Sequence, residues 1–554
     1  MKSSLAVAYF TMEIGLDAAI PTYAGGLGML AGDLMLSAAD LGVNAACVTV
    51  RWQHGYMHQS IRGDGTQAYE ELSWNPKDRL TLLPQKVKVW VGGHDVTIGA
   101  WALSLKRSNH EVPVIFLDTD VPENSAEDRA ITSHLYGGDG VMRLKQEAVL
   151  GIGGVRMLRA LGYSNVGTFH MNEGHAAFLT LELLRERGFK DELVRPSCAF
   201  TTHTPVPAGH DVFPYDMAWK VMGDNLPWHI KKLAGDDALS MTKLAMHLSK
   251  KSFAVSKVHG MVSNRMFPGE HIGYITNGVH LPRWASPEMS ALLEKHIPGW
   301  RENPSLLTMH CRAIPDEELR AAHRAAKKRL IAEVNKHAAV PFDEDTLTIA
   351  GARRVVSYKR PELLYTNLER LKEVCAGKVQ IIHAGNAHPA DRFGQEVIQR
   401  MIERSRTLKD SVRIAYLPNY NPDLAELLVS GADVWLNTPT RLHEASGTSG
   451  MKAAVNGTIN FSTLDGWWIE AFAMDPESGW RIGPLSSALN ADDTRALDAE
   501  DLYTELQYEI LPEYAYPDGV RWTRRMKRSI GLAGFFNTHR CIHEYEEKAW
   551  KQGD

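Results

Sequence analysis

The chain has 554 residues, of which 44% are apolar and 23% are charged, so it is long enough for several globular domains with large cores. These values exclude wholesale disorder, collagen and a coiled coil. Lys and Arg together number 61 and Asp and Glu number 66, which gives a formal net charge of −5. That balance gives no reason to expect a nucleic acid or an anionic membrane surface as a partner.

The start of the chain and its cysteines indicate the compartment. The apolar run 5–10 is short and leads directly to Glu13 and Asp17, so it predicts a first strand and not a signal peptide. No apolar run approaches the ~20 residues of a membrane span. The five cysteines contain no C-x-x-C pair, which argues against a disulfide scaffold or a thiolate zinc site. We expect a protein of the reducing cytoplasm and, because H-E-x-x-H is also absent, no metal site.

The first half of the chain alternates predicted strands with predicted helices. Strands are predicted at 5–10, 46–50, 114–117, 198–202 and 272–276. Alternating apolar residues around Gly92-Gly93 predict an antiparallel hairpin over 87–102. Helical spacing covers 28–41, 142–161 and 175–187.

The second half repeats this rhythm more regularly. Strands are predicted at 347–356, 378–384, 412–417 and 432–436, separated by helices predicted at 316–338, 361–375, 391–407 and 422–430. A last amphipathic helix, 522–550, is a candidate to cross back onto the first domain. Strands that alternate with helices in this way predict right-handed βαβ crossovers and parallel sheets covered on both faces.

The fold class predicted from this pattern is α/β, with two Rossmann-like domains that face a cleft. The domains are predicted as 1–276 and 277–554, with a hinge near Asn277-Gly278. Ligands are expected at the carboxyl ends of the parallel strands.

The densest chemical signal is the segment 444–457, E-A-S-G-T-S-G-M-K-A-A-V-N-G. Small, hydroxyl-bearing and glycine residues open a predicted helix, whose free N–H groups suit a phosphate. Lys452 lies in its first turn, where an amine among apolar residues has the lowered pKa that covalent chemistry with a carbonyl requires. By spacing alone, a Gly/Ser turn followed by a surface lysine explains the segment more simply. The pattern does not match a Walker loop.

Two further clusters suit anions. The segment 25–31, G-G-L-G-M-L-A, formally contains G-x-G-x-x-A, but the nearest strand ends too far upstream for a dinucleotide site. It fits a loop–helix junction, or a second set of N–H groups that face an anion. The basic run 353–360, R-R-V-V-S-Y-K-R, fits a solvated face or a phosphate clamp.

Histidines are plentiful, and four of them fall near strand ends: His170, His175, His203 and His210. Taken singly, each is more often a hydrogen-bonded scaffold residue than a catalyst. Carboxylate pairs suited to glycoside hydrolysis do not emerge from the sequence.

Taken together, these segments resemble the glycogen, starch and maltodextrin (α-glucan) phosphorylase family. The segment 444–452 resembles the family's cofactor-lysine motif E-A-S-G-T-x-x-M-K, and 142–147 resembles its R-L-K-Q-E helix. Residues 172–175, N-E-G-H, take the place of N-D-T-H. Residues 276–279 match T-N-G-V, and 358–360 match Y-K-R. The resemblance covers nearly the whole chain.

The resemblance implies a glycosyltransferase-B-type fold, glycosyltransferase activity and a role in carbohydrate and glycogen metabolism. It implies pyridoxal 5'-phosphate bound covalently to Lys452 and reversible phosphorolysis of α-1,4-glucans to α-glucose 1-phosphate with retention of configuration. The implied partners are an α-glucan (glycogen or maltodextrin), inorganic phosphate and glucose 1-phosphate. A homo-oligomer remains open, as do chain-length preference and the physiological direction.

Residue roles follow from the same resemblance. Residues implied to hold or adjoin the cofactor are Lys452, Gly26, Arg353, Thr448, Ser449, Tyr420 and Trp284. Residues implied to bind the substrate phosphate are Gly26, Arg354 and Lys359. The glucosyl 6-hydroxyl is assigned to His175 and Asn277, the ring hydroxyls to Tyr358, Glu444, Ser446 and Gly447, and the anomeric end to the Leu27 N–H. The implied catalytic set is Lys452, Lys359, Arg354 and His175.

Three positions depart from the long family members, and two other functions stay open. Arg353 stands where those members carry Lys, Asn421 where they carry Arg, and Asn386 where they carry Lys. The chain also lacks a counterpart of their N-terminal phosphorylation segment, so control by phosphorylation or nucleotide is not implied. The alternatives are a nucleotide-sugar glucosyltransferase on the same fold, of the glycogen synthase kind, and a glucan-binding relative without turnover.

Overall fold

A computed structural model describes residues 4–107, 110–485, 494–516 and 518–551. The chain divides into two compact units. The first comprises residues 1–57, 71–276 and 538–554, and the second comprises 58–70 and 277–537. Both units are mixed α/β with parallel sheets, which confirms the predicted α/β class at that level. Within the described ranges, no helix combines the length and the apolar character needed to cross a membrane.

The described part of the first unit is built on a ten-stranded sheet. Seven of its strands are parallel, and their order across the sheet is Ile272–Tyr274, Lys251–Ala254, Cys198–Thr201, Asn165–Asn172, Ser4–Thr11, Ala45–Val50 and His110–Asp118. Strand His94–Arg107 continues the sheet antiparallel, and Val87–Val91 and Thr81–Leu82 pair with it. The order along the sheet reverses between Ser4–Thr11 and Asn165–Asn172. Such a reversal is where open α/β sheets bind ligands, at the carboxyl ends of the strands.

Helices cover this sheet and bury its apolar residues. The α-helices of the unit are Gly26–Asp40, Ala126–Arg129, Gly140–Ala148, Gly154–Ala160, Leu179–Glu186, Asp191–Val194, Tyr215–Met222, Ile230–Ala234, Met241–His247, Lys257–Met266 and Thr538–Tyr545. Two further strands, Val212–Pro214 and Ala238–Ser240, form a small antiparallel pair. The hairpin His54–Ile61 and Gln67–Ser73 is divided between the two units by the boundaries given above.

The second unit contains a fully parallel sheet, six-stranded over the described residues. Its order is Arg413–Leu417, Val379–Ala384, Leu347–Ala352, Val434–Asn437, Ile459–Thr463 and Gly479–Ile482, or third, second, first, fourth, fifth and sixth in the chain. This is the order of a doubly wound sheet, and it reverses between the first and fourth strands. Apolar residues predominate in these buried strands, as expected when helices cover both faces.

The helices of the second unit frame this sheet. They are Leu281–Trp284, Pro287–His296, Ser305–His310, Asp316–Val334, Leu368–Cys375, Arg392–Leu408, Pro422–Gly431, Ser449–Val455, Trp467–Met474, Arg495–Glu505, Leu511–Ala515 and Val520–Ala533. One buried cluster packs helices Asp316–Val334 and Pro422–Gly431 onto the central strands.

The predicted helix 142–161 agrees with a continuous helical stretch over 140–160, which contains a π-helical turn at Val149–Gly153. Two other predicted helices were wrong in extent. In place of the predicted helix 361–375, the α-helix covers only Leu368–Cys375. Arg360 adopts a left-handed conformation, and the helix begins later, where the Asn367 side chain caps it. The predicted helix 522–550 is two helices, since the Asn537 side chain bonds back to the carbonyls of Ala533 and Gly534.

Candidate active site

In the first unit, polar residues gather where the strand order reverses. Glu13 lies just beyond strand Ser4–Thr11 and is 3% exposed. Its Oε2 accepts hydrogen bonds from the backbone N–H of Ala24 at 2.6 Å and of Gly25 at 3.1 Å. Its Oε1 accepts from the hydroxyl of Tyr136 at 2.8 Å. This carboxylate therefore holds the glycine loop that leads into helix Gly26–Asp40.

The glycine loop presents backbone and little else. Gly25 caps helix Gly26–Asp40 without a side-chain bond, and a Cβ at Gly25 or Gly26 would meet nothing within 4 Å. A Cβ at Gly28 would lie 2.7 Å from Glu13 Oε2, so a side chain there would displace the carboxylate. The first N–H groups of a helix, including those of Gly26 and Leu27, have no intrahelical partner and attract anions. The loop can therefore bind a phosphate through its backbone.

His175 belongs to a second polar group in the same unit. Its Nε2 lies 3.3 Å from Asp211, to which Arg143 also donates at 2.8 Å. Burial alone would raise the pKa of Asp211, but His175 and Arg143 hold that pKa well below its usual range. Among the described residues, His175 Nδ1 is buried without a hydrogen-bond partner. The Tyr136 ring lies 5.6 Å from the His175 ring, which brings this group beside Glu13.

Glu173 directly follows strand Asn165–Asn172 and accepts several hydrogen bonds. Its backbone is left-handed (φ 72°), and its carboxylate accepts from the N–H of His203 at 2.7 Å and the hydroxyl of Thr204 at 2.9 Å. Burial lowers the pKa of His203 to about 4, so this ring is neutral near pH 7. Its Nε2 lies 2.6 Å from Asn172 Oδ1 and must donate to it.

His170 has a different role from the other strand-end histidines. It lies inside strand Asn165–Asn172, fully buried, between Thr201 at 2.9 Å and the indole N–H of Trp550 at 2.9 Å. Burial lowers its pKa to about 3. It is a scaffold residue that ties the C-terminal segment to the sheet of the first unit.

In the second unit, Arg353 occupies the reversal of strand order. It directly follows strand Leu347–Ala352, and its guanidinium donates to the carbonyl of Leu436 at 2.9 Å and to Asn437 Oδ1 at 2.6 Å, at the end of the fourth strand. Burial lowers the pKa of Arg353, an effect that the nearby Glu444 opposes. The arginine nevertheless remains a cation at neutral pH.

Lys452 lies in helix Ser449–Val455 and is 7% exposed. Its Nζ lies 3.8 Å from the centroid of the Trp284 ring. The Asn456 side chain donates to the carbonyls of both residues, at 2.8 Å to Trp284 and 3.0 Å to Lys452, which fixes the helix against the tryptophan. The predicted surface position for this lysine is excluded, because the amine is buried against an aromatic face.

Lys359 and Glu444 form a partly buried ion pair. Burial works to lower the pKa of Lys359, but the Glu444 carboxylate outweighs it, so the pKa of the lysine is raised. The Glu444 N–H donates to Asp465 at 2.8 Å. Burial raises the pKa of Asp465 to about 7.

The remaining predicted residues of the second unit vary in burial. Tyr358 and Tyr420 are partly buried, Ser446 is buried, and Gly447 has a left-handed backbone (φ 73°) that places it beside Glu444. Ser449 accepts from the indole of Trp435 at 3.1 Å, whereas Thr448 starts its helix without a side-chain cap. Asn277 is 7% exposed, whereas Arg354 is exposed.

Two of the three departures from the family pattern have structural explanations. Asn421 caps helix Pro422–Gly431 by accepting from the N–H of Leu424 at 3.0 Å. Asn386 donates to the carbonyl of Tyr420 at 3.2 Å. Both side chains thus organise the loop around Tyr420 in place of adding charge.

In the first unit, the glycine loop at Gly26 and Leu27 and the group around His175 meet through Glu13 and Tyr136. In the second unit, Arg353, Tyr358, Lys359 and Glu444 lie close enough to affect one another's charges, and Lys452 packs on Trp284 from the helix that follows the fourth strand. Sequence reasoning missed Glu13, Tyr136, Asp211 and Asp465. Glu13 carried a signal, because an acidic residue directly after a first apolar strand lies at the carboxyl end of the sheet.

Comparison with known proteins gives two family-model matches. The family model described as carbohydrate phosphorylase matches residues 211–476, and that of the starch synthase catalytic domain matches residues 7–261. The chain is similar to maltodextrin phosphorylase of Thermococcus litoralis, with 38% identity over 99% of this chain and 70% of the relative.

Two glycogen phosphorylases are also similar. That of Mycobacterium tuberculosis is 37% identical over 95% of this chain and 68% of its own length. That of Aquifex aeolicus is 34% identical over 99% of this chain and 86% of its own length. Similarity of this degree over nearly the whole chain defines a carbohydrate phosphorylase, and the chain belongs to the α-glucan (glycogen and maltodextrin) phosphorylase family.

Proposed function

We propose that this protein is an α-1,4-glucan phosphorylase. It would transfer a terminal glucosyl unit reversibly from an α-1,4-glucan to inorganic phosphate, giving α-glucose 1-phosphate with retention of configuration. The observation that carries the proposal lies in the second unit. The buried amine of Lys452 belongs to the helix that follows the fourth strand, and Arg353 bonds to the end of that strand, beside the Lys359–Glu444 pair. Full-length similarity to named phosphorylases supports it.

We further propose that both units are Rossmann-like domains of a glycosyltransferase-B fold. The strand orders support this, since both parallel sheets run third, second, first and fourth in chain order around the reversal. The domains would be the two units as divided here, with residues from 538 onward belonging to the first.

Pyridoxal 5'-phosphate is the cofactor that this site suits. A buried primary amine against an aromatic ring fits an aldehyde-bearing aromatic group, and the buried guanidinium of Arg353 fits a phosphate. Lys452 would hold the group covalently, with Gly26, Arg353, Thr448, Ser449, Tyr420 and Trp284 around it. When bound, it would supply a phosphate group that exchanges a proton with the substrate phosphate.

The chain's own groups would bind and orient the substrates. The N–H groups at Gly26, with Arg354 and Lys359, would hold inorganic phosphate, because helix N-termini and cations both stabilise anions. Tyr358, Glu444, Ser446 and Gly447 would meet the ring hydroxyls of the glucosyl unit. His175 and Asn277 would bond its 6-hydroxyl, and the Leu27 N–H would lie at the anomeric end.

The reaction then balances without an added base. The substrate phosphate gives its proton to the departing glucan oxygen as the glycosidic bond breaks. A phosphate oxygen forms the new bond to the anomeric carbon from the same face, which retains the α configuration. Lys359 and the glycine-loop N–H groups would stabilise the phosphate charge through this step.

A nucleotide-sugar glucosyltransferase is the second candidate, and one observation favours it. The starch synthase model matches residues 7–261. That match covers the first unit's sheet, which both enzyme classes would share. Glucosyl transfer from a nucleotide sugar would leave Lys452 without a function, whereas the proposed phosphorolysis would use this residue.

The remaining assignments follow the same proposal. The partners would be glycogen or maltodextrin, inorganic phosphate and glucose 1-phosphate. All five cysteines are buried and free in the described structure, which supports a reducing cytoplasm.

Release of glucose 1-phosphate from maltodextrin tests the function. The purified protein, loaded with pyridoxal 5'-phosphate, should release it only when phosphate is present. Lys452→Ala should abolish release, and Lys336→Ala, which changes an exposed lysine of the same unit, should not. Glucosyl transfer from a nucleotide sugar to maltodextrin, with no phosphate-dependent release, would establish the second candidate instead.

A further inference from the structure

Two histidines and a glutamate converge on the surface of the first unit, outside the groups described above. One donor atom from each of His54, Glu71 and His134 lies within 4.8 Å of the others. His54 Nδ1 is 3.3 Å from one carboxylate oxygen of Glu71, and His134 Nε2 contacts the other oxygen. The two imidazole rings stack with centroids 4.6 Å apart.

The backbone holds these three residues in place. The N–H of Gln53 donates to the carbonyl of Thr132 and that of His54 to Ser133, both at 3.0 Å, and His54 and His134 form a parallel bridge. Glu71 lies on strand Gln67–Ser73, which pairs with the strand that His54 begins. The donor set is therefore preorganised by strand pairing and does not depend on flexible side chains meeting by chance.

The spacing suits a tetrahedral metal ion. Zinc binds histidine nitrogen at about 2.0–2.1 Å, so neighbouring donors around a tetrahedral ion lie ~3.3 Å apart. The separation of His54 Nδ1 from Glu71 is 3.3 Å. Two imidazoles and one carboxylate are an established zinc donor set that leaves a fourth position for water. Partial exposure of the three side chains, at 25%, 54% and 47%, leaves room for that water.

A second contact orients one ligand. Ser133 Oγ lies 2.8 Å from His134 Nδ1. A metal-bound histidine usually donates its other ring N–H to an oxygen, which fixes the tautomer and raises the basicity of the binding nitrogen. Without a cation, His134 Nε2–H donates to the Glu71 carboxylate. With Nδ1–H donated to Ser133, loss of the Nε2 proton leaves a lone pair at that position for a cation.

We propose that His54, Glu71 and His134 form a binding site for a divalent zinc-class ion. This site is independent of the proposed phosphorolysis. It would cross-link the segment around residue 54, strand Gln67–Ser73 and the loop that leads to Tyr136, which itself bonds Glu13. The proposal departs from the expectation of no metal site, because these ligands are distant in the chain and match no zinc motif.

Zinc alone is the probe. Full-length protein is stripped with a chelator, moved to phosphate-free buffer and titrated with zinc chloride by calorimetry. We expect a single zinc ion per chain that raises the melting temperature. Separate His134→Ala and Glu71→Gln variants should weaken binding by more than about tenfold, since even loss of an outer-sphere partner costs that much. His94→Ala removes another exposed histidine that pairs with a carboxylate, Asp128, and should bind as the wild type does.

Cobalt gives an independent readout of geometry. Co²⁺ in the wild type should show the intense visible absorption of a tetrahedral N/O site, and this absorption should be lost in His134→Ala. Glu71 is exposed, so its Gln variant keeps the fold while removing the charged ligand. Equal zinc affinity in the wild type and both ligand variants, or no zinc bound by the wild type, would overturn the proposal.

Discussion

At the scale of single residues, Glu13 determines the shape of the glycine loop. It accepts three hydrogen bonds, two of them from loop N–H groups. The glycines have no side chains to hold the loop, and the Glu13 carboxylate holds it instead. Bonds from N–H groups to a charged carboxylate contribute roughly 1.5–3 kcal/mol each. A loop released from Glu13 would therefore no longer direct its N–H groups at a bound phosphate.

Glu13→Ala should raise the KM for phosphate by at least about tenfold, the equivalent of one such bond. Glu13→Gln keeps one acceptor oxygen for the loop and should raise the KM for phosphate by a smaller factor. Steady-state kinetics with varied phosphate and then varied maltodextrin measures both, and the KM for maltodextrin should change little. Glu123→Ala, at an exposed glutamate of the same unit, serves as control. An unchanged KM for phosphate in folded Glu13→Ala would remove this role.

At the scale of elements, two strand ends in the second unit meet at Gly385. Its φ is 153°, and a Cβ on it would lie 2.0 Å from the carbonyl oxygen of Arg353. Only glycine permits this approach, because the neighbouring atom is backbone and cannot move aside. Gly385 thus sets the position of the arginine that bridges the first and fourth strands.

Gly385→Ala should push Arg353 away from the fourth strand. We expect a loss of roughly 1–3 kcal/mol in the free energy of unfolding, typical of overpacking, together with weaker retention of pyridoxal 5'-phosphate. Urea unfolding and cofactor absorbance after dialysis measure the two effects. Gly63→Ala, where a Cβ would meet nothing within 4 Å, should leave both unchanged. Full cofactor retention in Gly385→Ala would contradict the assignment of Arg353.

The elements also show what the sequence could and could not predict. The hairpin around Gly92-Gly93 was confirmed, because both glycines take the left-handed backbone that its turn needs. The end of the predicted helix 361–375 was right and its start was wrong, because the left-handed turn at Arg360 depends on its buried ion pair with Asp498. Asp498 is distant in the chain, and local periodicity carries no information about it.

At the scale of the whole molecule, three buried histidines and the partly buried His203 lower stability in acid. Burial lowers the pKa to about 4 for His203, His259 and His383, and to about 3 for His170. In the unfolded chain each takes a proton below about pH 6.5. The unfolded state then binds more protons than the folded state, so stability is lost as the pH falls from about 6.5 towards 4.

His383→Gln should reduce the decrease in the free energy of unfolding as the pH falls. Each neutral buried histidine contributes a slope of about 1.4 kcal/mol per pH unit below its unfolded pKa. Glutamine can still bond the Tyr365 hydroxyl, which lies 2.7 Å from His383 Nε2. Urea unfolding at pH 7, 6 and 5 should therefore show a smaller decline in the variant than in the wild type. The exposed His543→Gln should decline as the wild type does, and equal slopes for all three proteins would refute the assignment.

Only part of the candidate site could be predicted from the sequence. Lys452, Arg353 and Glu444 lie in dense local motifs, so the sequence marked them as candidates. The zinc-class cluster and the Tyr136–Glu13 contact join residues far apart in the chain, and no local pattern marks such a meeting. The simplest interpretation of the local spacing also puts Lys452 at the surface. Its packing against Trp284 excludes that position.

The proposed function depends above all on Lys452 holding pyridoxal 5'-phosphate. Borohydride reduction of cofactor-loaded protein, followed by proteolysis and peptide mass mapping, shows which lysine carries the cofactor. We expect a pyridoxyl phosphate adduct on the peptide that contains Lys452, and none in Lys452→Ala. An adduct on a different lysine, or no adduct in protein that releases glucose 1-phosphate from maltodextrin, would contradict it.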